Sequence, residues 1–308
     1  MTSEKLVYVI DIGTNSIRLM RARAEGDSVR CLDKTIRTVR TGEGVNANGY
    51  LLEAAIDRSL DVLSEYKRMA EAEGAQEVYC FATSAVRDSS NSEHFVQRAE
   101  RECGVHIEIL SGAEEAACGV AGVLPPGGNG GIIDIGGGST EIVFSREGEI
   151  SYLKSFNIGS VRGLEIFCGR DTQGAVFWAR EQLSKAPWKE AEGIPFYGIG
   201  GTATSLAAVD LQLQEYDPRK VDGHILTSAR AEEMLVWLSS KTVEERRRIT
   251  GMEYKRADVI IYGLSVLVAF FRESAVGQII VSEADNLEGY LLRLRKKQSS
   301  TEKILDFE

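Results

Sequence analysis

The sequence predicts an α/β protein of two domains that repeat one design. The segment Ile10-Asp11-Ile-Gly13-Thr14-Asn15-Ser16-Ile-Arg18-Leu19 reads against Ile133-Asp134-Ile-Gly136-Gly137-Gly138-Ser139-Thr140-Glu141-Ile142, with Asp11 falling on Asp134 at an offset of 123 residues. Each copy is a short apolar run, a glycine-containing turn and an alternating run, which is the pattern of a β-hairpin. Strand-length apolar runs then alternate with helical periodicity, which implies helices layered on sheet. The densest cluster of chain breakers, Pro125-Pro126-Gly127-Gly128-Asn129-Gly130-Gly131, lies just before the second hairpin. It sets the expected division at residues 1–126 and 127–308.

The elements follow in order. After the first hairpin, Val29–Val39 reads as a further strand. Leu51–Ala72 is helical, with Ile56, Leu60, Leu63, Tyr66 and Met69 along one side. Glu77–Ala82 is a strand, Glu93–Cys103 a helix stopped by Gly104, Val105–Leu110 a strand and Ala113–Val123 a helix. In the second half, strands run to about Phe156, with helices near Ser160–Phe167 and Thr172–Lys185. A strand at Ile194–Ile199 and a helix from Thr202 come next, and helices dominate to Phe271. Val276–Val281 is the last strand. A basic helix from Leu287, within 287–308, is expected to pack back on the first domain.

Composition excludes several classes. A chain of 308 residues with 43% hydrophobic content can bury a core, and no apolar run is long enough to span a membrane. The start, Met1 to Gly13, lacks the separate charged and apolar regions of a signal peptide, so the expected location is cytoplasmic. Five cysteines without CxxC spacing read as free thiols, and three histidines argue against a histidine-rich metal centre. A net charge of −10 argues against nucleic acid or a membrane surface as partner. A polyanionic substrate would then need a local basic lining or a metal ion.

The hairpins carry the chemistry. Their glycines allow tight turns and close approach to a ligand, and successive turn amides form an anion-binding nest. Thr14, Ser16 and Ser139 add hydroxyl donors, while Asp11 and Asp134 at the strand ends can hold hydrated magnesium or orient water. One Asp-x-Gly turn is ordinary. Two copies at equivalent points of a duplicated chain read as two halves of a grip on phosphate.

These segments resemble the two phosphate motifs of the exopolyphosphatase/guanosine-pentaphosphate phosphohydrolase (Ppx/GppA) family. Further matches, in the family's order, are Ala82-Thr-Ser-Ala-Val-Arg87-Asp88, Ser111-Gly-Ala-Glu114-Glu115-Ala116, Gly198-Ile-Gly200-Gly201-Thr-Ala203 and Arg256-Ala-Asp-Val-Ile260. The resemblance implies two ribonuclease-H-like domains of the actin, sugar kinase and Hsp70 superfamily, with a cleft between them. It puts the catalytic base on Glu115 and the glycine-loop acids on Asp134 and Glu141. With Asp11, these acids would hold Mg2+ or another divalent cation. Substrate contacts fall on Asp11, Gly13, Thr14, Asn15, Ser16, Arg87, Gly136, Gly137, Gly138, Ser139, Thr140, Gly200, Gly201 and Arg256. The implied substrate is inorganic polyphosphate, with the alarmone pppGpp as the alternative, and the family often forms homodimers. Many members carry a further helical domain after the two-domain core that this chain matches. The segment Ser282–Gly289 is more acidic than the family's usual pattern.

Rival readings are weaker. Gly198–Ala203 fits a loose dinucleotide pattern, but a polar stretch with Pro218 follows its helix. Cys31 and Arg37 have the spacing of cysteine phosphatases without a glycine-rich cradle. Arg18 alternates with the strand interior and is expected to face solvent. Arg246–Arg248 and the Arg293–Lys297 cluster are expected as solvated helix faces. The expected function is hydrolysis of terminal phosphate, with a superfamily phosphotransferase and a silent nucleotide sensor as alternatives.

Overall fold

The structure, a computed structural model, describes residues 4–168 and 171–305. The chain divides into two compact units: the chain up to Gly122 together with the segment from Ala284, and Val123–Glu283. The division therefore lies a few residues before the proline-glycine cluster. The last segment, assigned by sequence to the second half, clusters with the first unit.

In the first unit β1 (Lys5–Ile12), β2 (Ser16–Glu25) and β3 (Ser28–Thr38) form an antiparallel meander. α1 (Glu53–Ala72), β4 (Glu77–Ala82), α2 (Ser92–Arg98), β5 (Glu108–Ile109) and α3 (Gly112–Val123) follow. The strand order is β3-β2-β1-β4-β5, with β4 and β5 parallel to β1 and β4 respectively. β1 is buried from Leu6 to Ile12 because both faces of the sheet are covered. Tyr8, Ile10 and Ile12 pack with Ile56, Leu60, Leu63 and Tyr66 of α1. Val7 and Val9 point the other way and pack with Leu287, Tyr290 and Leu291 of the last helix, Asn286–Leu305. The expected helix to Cys103 changes to a π-helical turn at Ala99–Cys103 and ends on Gly104, whose φ is 62°. The strand expected over Val105–Leu110 pairs only at Glu108–Ile109.

The second unit repeats the order and extends it. β6 (Gly130–Ile135), β7 (Thr140–Arg146) and β8 (Glu149–Phe156) form the meander. α4 (Ser160–Phe167), α5 (Thr172–Leu183), β9 (Phe196–Ile199), α6 (Gly200–Asp210), β10 (Ile225–Thr227), α7 (Ser228–Ser239), α8 (Ile260–Ser274) and β11 (Gln278–Val281) follow. The sheet runs β10-β11-β9-β6-β7-β8. α8 is buried from Ile260 to Phe271, which explains its apolar run, and no described helix is long and apolar enough to cross a membrane. β10 is an addition to the expected elements. It buries only Leu226 and is held by antiparallel pairing with β11, so it leaves little pattern in the sequence.

Three arginine assignments are corrected. Arg246 is buried and donates to the Ala257 carbonyl (2.6 Å). Arg295 is buried against Glu77. Arg18 turns inward, as described below. Arg295 finds its partner across the fold and Arg246 eleven residues along the chain, neither signalled by periodicity, whereas Arg18 meets the residue opposite it in its own hairpin. The final helix of the unit, named α9 (Asn286–Leu305), is thus fixed by ion pairing as well as by its apolar face.

Candidate active site

Antiparallel pairing of β1 with β2 closes the first turn, where the Gly13 amide donates to the Ser16 carbonyl (3.0 Å). The turn's own carbonyls are taken by the following loop. Gly42 N–H donates to Thr14 O (2.9 Å), and Val39 and Arg40 N–H donate to Asn15 O (3.2 and 2.9 Å). Arg40 makes this contact in the left-handed region, φ 55°. Among the described residues the amides of Thr14 and Asn15 donate to nothing.

The second turn is built the same way. Gly136 N–H donates to Ser139 O (3.0 Å). The first amides of α4 take the carbonyls: Ser160 to Gly136 O (3.0 Å), and Val161 and Arg162 to Gly137 O (2.9 and 3.1 Å). Arg162 Nε adds a bond to Gly138 O (2.8 Å). Among the described residues the amides of Gly137 and Gly138 donate to nothing. Carbonyls turned into the fold and adjacent amides left over are the makings of an anion nest in both units. The fully buried Thr140 hydroxyl is committed to the fold instead, donating to the Ile158 carbonyl (2.8 Å).

The acids at the strand ends differ between the copies. Asp134 and Glu141 sit directly opposite in the β6–β7 register and are both buried. Opposed residues of an antiparallel pair share a face, and like charges there repel. Ser155 Oγ donates to Glu141 Oε1 (2.6 Å), fixing that carboxylate. Asp134 Oδ1 lies against Gly200, whose φ of 76° and whose approach leave no room for a side chain: a Cβ there would meet that oxygen at 2.4 Å. Two close, buried carboxylates with oxygen donors suit Mg2+, which takes one or two carboxylates and completes its shell with water and phosphate. Asp11 is different. Its register partner is Arg18, whose Nε donates to Asp11 Oδ2 (2.9 Å), so one oxygen is already committed.

Glu115, on α3, is 7% exposed and accepts from Arg87 Nη1 (3.0 Å), which also donates to Leu110 O (3.0 Å). Glu114 points elsewhere and closes a capping box, accepting from Ser111 N–H and Oγ (2.9 and 2.7 Å). Arg87 ends a single helical turn that begins at Ser84, and Ser84 Oγ bonds Thr14 Oγ1 (2.9 Å). The short helix Ser84–Arg87 thus links the first turn, bonded at Ser84, to Glu115, bonded at Arg87, within the first unit. In the second unit, Asp134 touches Gly200, and the Arg256 guanidinium lies against Gly201, held by Glu253 (2.7 Å).

Sequence reasoning missed Ser84, Ser155, Arg162 and the inward role of Arg18. Arg18 was within reach: in a hairpin where Ile12 pairs Ile17, Asp11 must face Arg18. Two rivals lose their ground. The strand after Gly198–Ala203 and its helix is β10, antiparallel to β11, not the next parallel strand of a dinucleotide unit. Desolvation and the Glu288 carboxylate push the Cys31 thiol up to about 11, the opposite of an activated nucleophile.

Duplicated α/β units with matching anion nests and a set of buried acids define a phosphoryl-handling protein. The chain belongs to the Ppx/GppA phosphatase family, which it matches over residues 20–298. It is 34% identical over 304 residues to the bifunctional 3-dehydroquinate synthase/phosphatase of Fusobacterium nucleatum, covering 92% of this chain and 46% of that longer protein. It is 32% identical to Exopolyphosphatase 2 of Mycobacterium tuberculosis, covering 94% of this chain and 98% of the relative. The crystal structure of the Aquifex aeolicus Ppx/GppA family member superposes with a TM-score of 0.78 at 29% identity, covering 96% of this chain and 99% of that one.

Proposed function

We propose that this protein removes terminal orthophosphate from inorganic polyphosphate by attack of water. The observation that carries the reading is the repeated turn, with carbonyls turned inward and the amides of Thr14–Asn15 and Gly137–Gly138 left for an anion. The Mycobacterium relative, matched over nearly its whole length and named an exopolyphosphatase, supports it.

In this reading the turn amides, with the Ser16 and Ser139 hydroxyls, bind phosphate oxygens. Because the fold fixes these donors beforehand, they need no reorganisation as charge develops, the usual largest contribution to such catalysis. Arg256 adds positive charge beside Gly201. Glu115 accepts the proton of the attacking water, and Arg87 keeps its carboxylate in one orientation. Asp134 and Glu141 would hold Mg2+, which when bound polarises the phosphoryl group. A cytoplasmic location suits the five free cysteines.

The test is phosphate release from polyphosphates of graded length, from pppGpp and from ATP, with magnesium present. Polyphosphate is expected to be fastest. Faster release from pppGpp reverses the substrate order. Turnover only with an added phosphate acceptor makes the protein a phosphotransferase, and tight binding without release makes it a sensor.

A further inference from the structure

Asp11 and Asp134 are equivalent in the duplicated hairpins, yet their partners across the strand pair have opposite charge. Glu141 faces Asp134, whereas Arg18 faces Asp11. Arg18 gives two arms, Nε and Nη2, to the single oxygen Asp11 Oδ2, and its third, Nη1, to Asp285 Oδ2 (2.5 Å). Asp285 precedes α9 and accepts from the Leu287 amide at its other oxygen (2.9 Å). Lys34 of β3 lies 3.4 Å from Asp285 and 2.9 Å from Glu288. Asp11 and Asp285 are 4% and 6% exposed. The first turn is thereby tied by buried ion pairs to the start of the helix that covers the sheet.

One atom stands outside this arrangement. Asp11 Oδ1 is buried and has no hydrogen-bond partner among the described residues. A buried carboxylate oxygen left without a donor carries an uncompensated desolvation cost, so such an atom in a native fold calls for an explanation. A rotated Asp11 could relieve the cost by sharing Arg18 between both oxygens. Arg18 instead grips one oxygen with two arms and is itself anchored on Asp285, which prevents that rotation.

We propose that Arg18 is a positioning residue, anchored on Asp285, that locks Asp11 through Oδ2 so that Oδ1 alone accepts a hydrogen bond from a water in the substrate complex. This rests on the polyphosphate-hydrolase reading. Asp11 contributes orientation of that water, and Arg18 contributes nothing to substrate binding directly. Asp285 acts one step further back, through Arg18.

The experiment is a double-mutant cycle on kcat and KM for polyphosphate hydrolysis, with melting temperature followed alongside. Arg18→Met should lower kcat about 100-fold, the scale of an ångström of misplacement at a reacting group, while KM stays within about twofold. Arg18→Lys, which supplies one charged donor in place of two, should recover part of the loss. In an Asp11→Asn background Arg18→Met should cost no further kcat, because its action passes through the Asp11 carboxylate. If Arg18→Met does not fold, Asp285→Asn serves in the same cycle: a several-fold kcat loss beside Asp11 and none beside Asn. Wild-type kcat in the single variants overturns the proposal. So does an equal fractional loss in both backgrounds, which would mark Arg18 as a structural ion pair only. Absence of phosphate release from polyphosphate by the wild-type protein would instead overturn the functional reading on which the cycle depends.

Discussion

Glu115 and Arg87 lie 28 residues apart and meet through one bond of 3.0 Å. That bond changes what each is expected to do. Arg87 resembles a phosphate-gripping arginine in sequence, but its Nη1 is shared between a carbonyl and the acid assigned as base. Glu115→Gln preserves shape and can still accept from Arg87, yet it cannot take a proton. Its kcat should fall by about 10²–10⁴, the usual worth of a general base, with KM nearly unchanged; a near-normal kcat would remove Glu115 from the chemistry. Arg87→Ala should lower kcat as well as raise KM, since Glu115 loses the Arg87 bond that helps to orient it. A raised KM with kcat intact would mean that Arg87 serves only to hold phosphate. Gly200→Ala places a methyl group at 2.4 Å from Asp134 Oδ1 and forces a left-handed residue, so it should impair both folding and turnover.

At the scale of elements, the β6–β7 hairpin holds the argument for a metal. Asp134 and Glu141 oppose one another, and Ser155 of β8 fixes Glu141. Glu141→Gln removes a like-charge repulsion, so it should raise the metal-free melting temperature while abolishing the rise that Mn2+ or Mg2+ gives. Ser155→Ala should weaken Mn2+ binding about tenfold, the usual effect of losing a supporting hydrogen bond; unchanged affinity by titration calorimetry would show that Ser155 does not support the acid. Much of this hairpin was legible in the sequence, because an apolar run, a glycine turn and alternation specify pairing and register together. α1 and α4 were equally legible, since each buries one coherent face, and β4 was legible as a short apolar run. What was not legible depends on partners that the local pattern does not name. β10 exists only through β11, Arg246 and Arg295 are buried by carbonyls and acids elsewhere, and Arg162 reaches back 24 residues to Gly138. The carbonyl direction of the two turns, on which the anion nests depend, is likewise set by loops that the motif itself does not contain.

For the whole molecule, the first unit is assembled from two separated stretches of chain, and α9 is what closes it. Leu287 and Leu291 are fully buried on the sheet, and Tyr290 packs its ring 4.7 Å from Phe81. Leu287→Ala should therefore cost about 2–5 kcal/mol, the range for a leucine core truncation, measured by denaturant unfolding. The charged end of the same helix predicts how stability varies with pH. Burial pushes the Asp285 carboxyl up, but the Arg18 and Lys34 charges together pull it below its ordinary value of 3.8. A depressed carboxylate contributes stability above its unfolded value and loses it as pH falls through the folded one. Lys34 runs the other way: burial lowers it, the Asp285 and Glu288 charges outweigh that, and it ends above its ordinary 10.5. Its contribution is complete below 10.5 and is lost as pH rises through the folded value. Asp285→Asn should accordingly cost about 3 kcal/mol near neutrality, the scale for breaking a buried pair. The gap between wild type and variant should stay constant from about pH 5 to about pH 9, close below 3.8, and narrow again above 10.5. A gap that persists unchanged in acid would mean that Asp285 stabilises the α9 start by its bond to the Leu287 amide alone, without its charge.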